Sequence, residues 1–447
     1  MKNILIFGAG RSATSLIEYL IQHAETYNWQ VWVADASYEL VMSKIGNHPR
    51  AKGIHFLADD TQKRREYVQN ADVVVSMLPV SLHNLVVQDC IEFKKSFFNA
   101  SYISNELRSA ENQILADNLL FLGEMGLDPG IDHMSAMKII DELHEQKAQI
   151  TSFKSYTGGL VAPAHDTNPW GYKFSWNPRN VVVAGQNTAK YLYQNKFKYV
   201  PYQRLFAEAE SVTIQDKGLF EIYPNRDSLS YQKAYKLEQV PTLLRATLRQ
   251  KGFSAAWNVL VQLGLTDDTY QLDNLNDTTY KEFFTSFLSP EDALHGEEIL
   301  EQVNHKFQLH WHPQTIEKLT YLNLWSDELI GLSKASPAQV LQHRLEQLWK
   351  LEPHETDMVI MQHEFEYLKN NQPYRLTSTL VQEGKDATHT AMSNLVGLPL
   401  AIAIKCFLIG EIQLTGLHLP ILPEIYTPVL AELDKLGVRF KETTQAL

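Results

Sequence analysis

The chain has 447 residues, which is too long for one typical domain and predicts two or three domains with a sizeable core. Its hydrophobic share of 44% and charged share of 21% are ordinary for a soluble globular protein. A formal net charge of −12 argues against nucleic acid or an anionic membrane as partner. The cysteines, Cys90 and Cys406, are far apart, so we expect reduced, packed thiols in a cytoplasmic protein.

An apolar segment at residues 3–7 is predicted to be a strand that leads straight into a glycine-rich turn. The turn fits the pattern G-x-G-x-x-G/A and consists of Gly8, Ala9, Gly10, Arg11, Ser12 and Ala13, with a helix predicted from Ser12. In this pattern the first glycine permits the tight turn, and the second lets the backbone approach a pyrophosphate. The small third residue lets the helix pack on the strand. The sequence therefore predicts a dinucleotide-binding site.

A second predicted strand, residues 30–34, ends on Asp35. An acidic side chain at this place normally accepts hydrogen bonds from the adenosine ribose hydroxyls and repels a 2′-phosphate, so it favours NAD. Arg11 leaves NADP open, because a guanidinium in the glycine turn could reach such a phosphate. The alternative for Asp35 is a plain turn-forming role at the end of a strand.

The alternation of strand and helix patterns continues, with further strands predicted at residues 54–59, 72–78, 96–102 and 119–124. Continuous apolar runs suit parallel strands that are buried on both faces. We therefore predict an α/β fold with a Rossmann-type, doubly wound parallel sheet. Its ligands are expected at the carboxyl ends of the strands, where the sequence places Asp35, Asp59, Leu78, Ser101 and Tyr102.

The regular alternation of strand and helix patterns ends after residue 127. A turn containing Asp128 leads into a helix predicted through residue 143, residues 151–223 are rich in strand formers, and residues 239–350 have a helical pattern. Strands return at 358–366 and 373–383. A long helical pattern at 391–410 is predicted to pack back on the first domain, and a short helix follows at 427–436. The most apolar part, 395–410, contains Pro399 and Lys405 and is too short to span a bilayer comfortably, so we expect a buried helix.

These patterns predict three domains, two of them discontinuous. They are a dinucleotide-binding domain (1–127 and 390–447), a mixed α/β domain (128–238 and 356–389) and an all-α domain (239–355).

Several longer words of the sequence are more specific than the glycine turn. They are Gly-Leu-Asp-Pro-Gly-Ile-Asp-His at 126–133, Ser-Tyr-Thr-Gly-Gly-Leu at 155–160, Asn-Pro-Trp-Gly-Tyr-Lys-Phe-Ser-Trp at 168–176, Tyr-Pro-Asn-Arg-Asp-Ser at 223–228 and Leu-Arg-Ala-Thr-Leu-Arg at 244–249. In these words and their order the chain resembles the glutamate-forming saccharopine dehydrogenases, also called saccharopine reductases. The resemblance implies a Rossmann domain, a mixed domain used in homodimerisation and substrate binding, and a helical domain.

The resemblance also implies a reaction, in which saccharopine, NAD(P)+ and water give L-glutamate and 2-aminoadipate 6-semialdehyde. Carried over by position, it assigns substrate contacts to Ser101, Tyr102, Asp128, Arg226, Arg245 and Thr247. The expected cofactor contacts are Gly8, Ala9, Gly10, Arg11, Ser12, Ala13, Asp35, Asp59, Leu78, Ser101 and Ser175. Two departures from the family pattern stand out. Thr157 occupies a position where many relatives have cysteine, which argues against an essential thiol, and Asp35 replaces the basic residue typical of NADP-using fungal members.

The chemistry of this substrate suggests roles for the polar residues. Saccharopine carries three carboxylates, so guanidinium groups are needed, and Arg226 and Arg245 are the candidates; alternatively they are solvent-facing arginines on a loop and a helix. The reacting amine must lose a proton before hydride leaves, and Asp128 and Tyr102 are the candidate catalytic acceptors or orienting groups. An aspartate before a proline is also a common turn residue. His133 is expected to be a packed or capping histidine.

Other readings are kept in view. The aromatic residues Trp170, Tyr172, Phe174 and Trp176 alternate at strand period and suggest core packing, or else shielding of the nicotinamide. No HExxH motif and no paired cysteine spacing occurs in the sequence, so no metal is expected. The rival functions are a lysine ε-dehydrogenase or carboxynorspermidine-type dehydrogenase, with fewer carboxylates to bind, and a non-catalytic NAD sensor.

Overall fold

A computed structural model describes residues 1–288, 297–307 and 312–447. Its contacts divide the chain into two compact units. The first unit consists of Met1–Ile150, Tyr367–Tyr374 and Ser378–Leu447, and the second of Thr151–Glu366 and Arg375–Thr377. The division into three domains stays a prediction.

The strands, in chain order, are β1 Lys2–Phe7, β2 Trp29–Asp35, β3 Ala51–His55, β4 Val73–Ser76, β5 Ser96–Asn99, β6 Leu120–Leu122, β7 Gln149–Val161, β8 Ala189–Tyr193, β9 Lys196–Val200, β10 Glu210–Ile214, β11 Gly218–Pro224, β12 Thr242–Gln250, β13 Leu272–Asp273, β14 Lys334–Ala335, β15 Asp357–Lys369, β16 Gln372–Glu383, β17 Gly416–His418 and β18 Phe440–Ala446. The α-helices are α1 Thr14–Ala24, α2 Tyr38–Ile45, α3 Thr61–Asn70, α4 Val80–Glu92, α5 Asn105–Ser109, α6 Glu111–Ala116, α7 Ile131–Glu145, α8 Pro178–Val182, α9 Tyr202–Leu205, α10 Phe253–Gln262, α11 Tyr280–Thr285, α12 Glu297–Phe307, α13 Pro313–Leu322, α14 Pro337–Leu348, α15 Ala391–Leu408 and α16 Pro423–Lys435.

The first unit contains a parallel sheet with the strand order β17-β6-β5-β4-β1-β2-β3. The residues of β4 and β5 are all buried, as expected of parallel strands covered by helices on both faces. This arrangement confirms the predicted Rossmann-type fold class. The short strand β17, from the end of the chain, was not predicted.

The strands predicted at 54–59, 72–78, 96–102 and 119–124 all run past the ends of β3, β4, β5 and β6, so Leu78, Ser101 and Tyr102 follow their strands and do not end them. The ladder between β2 and β3 ends where Asp35 pairs with His55, because β2 itself stops there. Residues 57–60 then form a turn, and the side chain of Asp60 caps α3 by accepting a hydrogen bond from the backbone N–H of Lys63. Asp59 consequently lies in a connecting turn and not at the end of a strand.

The long apolar helix α15 packs on α1, as predicted. A Cβ atom added at Gly397 of α15 would come within 2.7 Å of the backbone nitrogen of Leu16, so glycine permits a close approach of the two helices. Glu432 of α16 accepts a 2.9 Å hydrogen bond from Tyr19 of α1 and pairs at 2.8 Å with Lys405 of α15. By length and composition α15 could cross a membrane, but 72% of it is buried inside the protein.

The second unit contains a mixed sheet in which β10, β11, β12, β7 and β15 are neighbours in that order. β12 runs parallel to β7 and antiparallel to β11. The prediction of a helical pattern from residue 239 is therefore wrong over β12, and Arg245 lies on a strand, not on a helix. Pairing with two neighbouring strands overrides the helix propensity of this leucine-rich and arginine-rich segment.

A cluster of aromatic side chains forms the core beneath the helices of the second unit. Trp170, Tyr172 and Phe174 are buried in it together with Trp257 and Trp349. Core packing is thus confirmed for the first three residues. Despite the alternation at strand period, residues 168–176, all of which the structure describes, form no strand; a single bridge joins Phe174 to Lys350.

Candidate active site

The glycine turn between β1 and α1 has the geometry of a phosphate-binding turn. Gly8 has a φ of +98°, and a Cβ atom there would come within 2.8 Å of the carbonyl oxygen of Met77. A Cβ atom at Gly10, in contrast, would meet no atom within 4 Å. Ala13 is 1% exposed beneath the helix start. The turn is thus closed on the sheet side and open where a pyrophosphate would lie, so it fits a dinucleotide.

The carboxylate of Asp35 lies beside this turn. Its Oδ2 accepts a 2.7 Å hydrogen bond from the backbone N–H of Ala9, and its Oδ1 accepts a 2.9 Å bond from the backbone N–H of Ser37. Lys44 of α2 lies nearby and donates a hydrogen bond to the hydroxyl of Thr14. Burial lowers the pKa of Lys44, while the carboxylates of Glu18 and Asp35 act in the opposite direction. Lys44 was not among the predicted site residues.

The remaining predicted cofactor residues of the first unit differ in how close they lie to the glycine turn. Leu78 lies two residues beyond the end of β4, and its backbone nitrogen is 3.2 Å from the position of a Cβ atom at Gly8. Arg11 and Ser12 form the first turn of the helix that follows Gly10. Asp59 is exposed in the turn between β3 and α3. Asp59 therefore does not end a strand as predicted, but it lies in the connection that follows the carboxyl end of β3.

A buried histidine joins the ends of two adjacent strands. His83, in the first turns of α4, lies between Ser76 at the end of β4 and Ser101 just beyond β5. Its Nδ1 is 2.7 Å from the hydroxyl oxygen of Ser76, and its Nε2 is 3.0 Å from the hydroxyl oxygen of Ser101. Burial lowers the pKa of His83 to about 4, so the ring is neutral at pH 7.

The segment that carries Ser101 and Tyr102 is held by Glu124. The carbonyl oxygen of Ser101 accepts a 3.0 Å hydrogen bond from the backbone N–H of Glu124. The Glu124 carboxylate accepts a 3.0 Å bond from the backbone N–H of Ile103, and its other oxygen lies 3.0 Å from Nε2 of His133. His133 is fully buried, which confirms its prediction as a packed histidine.

Tyr102 and Asp128 lie close together in the first unit. The hydroxyl of Tyr102 is 3.5 Å from Oδ1 of Asp128, at the long limit for a hydrogen bond. Asp128 lies in a tight turn in which the backbone N–H of Gly126 donates to the carbonyl of Pro129 at 2.9 Å. A Cβ atom at Gly130, whose φ is +146°, would come within 2.0 Å of the Gly126 carbonyl, so this turn requires glycine.

In the second unit the loop that carries Arg226 is hydrogen-bonded to β12, the strand that carries Arg245. The backbone N–H of Asn225 donates to the carbonyl of Arg245 at 2.8 Å, and the backbone N–H of Arg245 donates to the hydroxyl of Ser228 at 2.9 Å. The guanidinium of Arg245 lies 4.6 Å from the ring centre of Tyr231, and the residue is 2% exposed. Arg226 has a φ of +49° and is exposed. The solvent-facing alternative is therefore wrong for Arg245.

Thr247 follows Arg245 on the same face of β12, two residues further on, and pairs with Thr157 of β7. Both Thr157 and Ser175 are largely buried, at 7% and 3% exposure. Among the residues that the structure describes, no group of three or more His, Cys, Asp or Glu side chains could hold a metal ion.

Comparison with known proteins identifies the family. The chain matches the model of the saccharopine dehydrogenase NADP binding domain over residues 4–122 and that of the saccharopine dehydrogenase C-terminal domain over residues 126–438. The chain belongs to the saccharopine dehydrogenase family. Family members that resemble it over the full length include saccharopine dehydrogenase [NADP(+), L-glutamate-forming] of Saccharomyces cerevisiae, with 35% identity and 100% of both chains covered. The Schizosaccharomyces pombe enzyme of the same name is 31% identical, with 99% of both chains covered.

Other members of the saccharopine dehydrogenase family are longer. Alpha-aminoadipic semialdehyde synthase of Arabidopsis thaliana is 31% identical over 99% of this chain, which corresponds to 45% of that protein. Among solved structures, apo saccharopine dehydrogenase (L-Glu forming) from Saccharomyces cerevisiae matches with a TM-score of 0.87, 33% identity and full coverage of both chains. This match confirms the family and its fold.

Several residues of this site were missed by sequence reasoning. His83 and Ser76 lie in a segment whose predicted strand and helix were recognised, but nothing in the sequence marks their contact with Ser101. Glu124 ends a predicted strand and precedes the family word at 126–133, and that position was the available signal.

Proposed function

We propose that this chain oxidises saccharopine with a nicotinamide dinucleotide and water, giving L-glutamate and 2-aminoadipate 6-semialdehyde. The carrying observation is the 35% identity to the glutamate-forming yeast enzyme over the full length of both chains. The buried guanidinium of Arg245 supports the proposal, because a guanidinium fixed on β12 next to the loop that carries Arg226 can bind a carboxylate of the substrate.

The dinucleotide would be held by the turn from Gly8 to Ala13 and would supply the hydride acceptor. Once the secondary amine of saccharopine is neutral, hydride leaves the carbon of the aminoadipate side chain that is bonded to this amine, and water then adds to the resulting imine. Breaking the carbon–nitrogen bond leaves the aldehyde on that carbon and the amine on glutamate. The proton of the amine must leave before the hydride does.

The residues of the chain have separate tasks in this proposal. Arg245 and Arg226 bind substrate carboxylates, with Thr247 beside Arg245 on β12. Asp128 and Tyr102, whose polar atoms are 3.5 Å apart, orient the reacting amine and accept its proton. Ser101 contacts the substrate at the end of β5. Ser175 is assigned to the cofactor.

We propose NAD+ as the preferred cofactor, although the full-length fungal relatives are named for NADP+. Asp35 supports this choice, because its carboxylate is fixed at the glycine turn by two backbone N–H groups and would repel a 2′-phosphate. Arg11 and Lys44 are the cations nearby in the chain and the fold, and they are the residues to test if NADP+ is preferred. We also propose that the protein is a cytoplasmic homodimer.

A side-by-side assay tests the function. Reduction of NAD+ and NADP+ is followed at 340 nm with saccharopine, lysine and carboxynorspermidine as separate substrates. We expect turnover with saccharopine alone, and equimolar formation of glutamate. Oxidation of lysine or carboxynorspermidine in preference to saccharopine would replace this proposal with the corresponding dehydrogenase, and no reduction with any substrate would favour a dinucleotide sensor. Light scattering of the purified protein tests the homodimer.

A further inference from the structure

The hydrogen bonds of His83 have a definite direction. Ser76 is 1% exposed, and among the residues that the structure describes the only hydrogen-bond partner of its hydroxyl is Nδ1 of His83. A buried hydroxyl proton without an acceptor is unfavourable, so Ser76 donates to Nδ1. In a neutral imidazole the other nitrogen then carries the proton.

The direction of the first bond determines the second. With its proton on Nε2, His83 donates to the hydroxyl oxygen of Ser101, 3.0 Å away. Ser101 therefore accepts from His83, and its own proton is directed to another partner. In the opposite tautomer Ser101 would donate its proton to Nε2 of His83. Only the lone pairs of the Ser101 oxygen would then remain for a ligand, an arrangement that suits an amine donor.

We propose that His83 is a positioning residue that makes Ser101 a hydrogen-bond donor to a carboxylate of the substrate. The inference rests on the proposed function, since it assigns a ligand to the substrate contact Ser101. A carboxylate is the fitting acceptor, because a hydroxyl with a free proton makes a charge-assisted bond to it. Glu124 supports the same geometry by fixing the backbone on both sides of Tyr102.

A proton relay through His83 is a less suitable role. The chain of hydrogen bonds from Ser101 through His83 ends on Ser76, which is buried at the end of β4. A proton passed along it would have no exit to solvent in that direction. His83 thus acts on the substrate through the orientation of Ser101.

Nitrogen NMR tests the direction of the bonds without any measurement of activity. The protein is labelled with ¹⁵N-histidine, and the His83 signals are identified by their loss in His83→Gln. We expect a neutral ring with the proton on Nε2 that does not titrate between pH 5.5 and 9. A proton on Nδ1, or a ring that titrates in this range, would overturn the inference.

Kinetics test the consequence for the substrate. His83→Phe keeps an aromatic ring but removes both hydrogen bonds, and we expect the saccharopine KM to rise roughly tenfold while kcat changes less than about twofold. His83→Gln, whose amide can still donate to Ser101, should recover much of the loss. The Kd of NAD+, measured by fluorescence in the absence of substrate, should not change. His144→Gln, an exposed change on α7, is the control.

A double variant separates positioning from stability. His83→Phe leaves the Ser76 hydroxyl without its acceptor, and adding Ser76→Ala removes that hydroxyl, so thermal stability should recover while the raised KM remains. Recovery of KM in the double variant, or an effect confined to NAD+ binding, would show that His83 is only structural or serves the cofactor. Failure of the unaltered protein to oxidise saccharopine would instead overturn the proposed function, so the two failures are distinct.

Discussion

The carboxylate of Asp35 accepts a 2.7 Å hydrogen bond from the backbone N–H of Ala9, the residue between the two glycines of the phosphate turn. The acidic side chain is therefore part of the turn itself, in addition to the ribose-binding role proposed for it. A substitution at this position would remove the support of the turn together with the negative charge that is proposed to face the 2′ position of the cofactor.

The first prediction concerns cofactor choice. With Asp35 in place, kcat/KM for NAD+ should exceed that for NADP+, and Asp35→Ala should narrow the ratio by roughly tenfold by removing the repulsion of the 2′-phosphate. Because the turn also loses a hydrogen bond, the affinity for both cofactors should fall. Initial rates with each cofactor at saturating saccharopine measure the ratio. Glu66→Ala, which removes an exposed carboxylate on α3, is the control, and an equal change of the ratio in that variant would remove the assignment of Asp35 to cofactor choice.

The second prediction concerns the substrate carboxylates. Arg245→Ala should weaken saccharopine binding by roughly 2–4 kcal/mol, because it removes a charge-assisted pair from a buried position. Arg245→Lys should not restore binding, since an ammonium cannot reproduce the planar fork. Arg226→Ala should have a smaller effect because Arg226 is exposed. Isothermal titration measures saccharopine and NAD+ separately. Arg204→Ala, with a side chain 68% exposed, is the control; unchanged saccharopine affinity in Arg245→Ala would mean that the pocket lies elsewhere.

The third prediction separates proton transfer from turn formation at Asp128. If the carboxylate accepts or steers the proton of the amine, Asp128→Asn should lower kcat by ~10²-fold and alter the pH profile of kcat. Tyr102→Phe should then alter the same profile, because its hydroxyl is 3.5 Å from Oδ1. Rates from mildly acidic to strongly alkaline pH provide the measurement. Asparagine is also a good turn residue, so a profile that matches the unaltered protein would assign Asp128 to the turn alone.

The fourth prediction concerns stability and pH. His389 lies 3.1 Å from a carboxylate oxygen of Asp386 and 3.0 Å from one of Glu18, and these hydrogen bonds raise the pKa of its imidazole. The stabilisation is thus fully present below the pKa of the unfolded state and is lost as pH rises through the higher folded value. The side chains of His389, Asp386 and Glu18 are partly exposed, so His389→Ala should lower Tm at pH 6 by only about 1–3 °C, and by less at pH 9. Thermal melts of this variant and of His55→Ala, an exposed control, provide the comparison; equal losses at both pH values would contradict the pairing.

The sequence predicted the parallel sheet well because its signals are local. The apolar runs of β4 and β5 and the turn from Gly8 to Ala13 can each be recognised within a few residues. Arg245 was placed on a helix because β12 is defined by its partners β7 and β11, which are distant in sequence. Asp59 was misplaced because the end of β3 depends on where β2 stops.

Candidate site residues, like the strands, could be predicted only where the local sequence marks them. The motif at 126–133 contains Asp128, whereas Ser101 and Tyr102 lie outside the quoted motifs and were assigned by their position in the family. His83 was missed because its role depends on the adjacency of β4 and β5, which places a residue of α4 beside one that follows in the chain 18 positions later. Single-sequence reasoning identifies residue types and periods, and it does not identify which strand ends meet.

The packing of Gly397 against Leu16 has a consequence for synthesis on the ribosome. The glycine turn and α1 leave the ribosome long before α15, the helix that covers α1, which is translated more than 370 residues later, as the separation of the Ser15 and Asn394 side chains along the chain shows. The nascent chain therefore exposes the apolar face of α1 while the whole second unit is made. Chaperone occupancy of nascent chains should accordingly begin soon after α1 leaves the exit tunnel and end only when α15 has emerged.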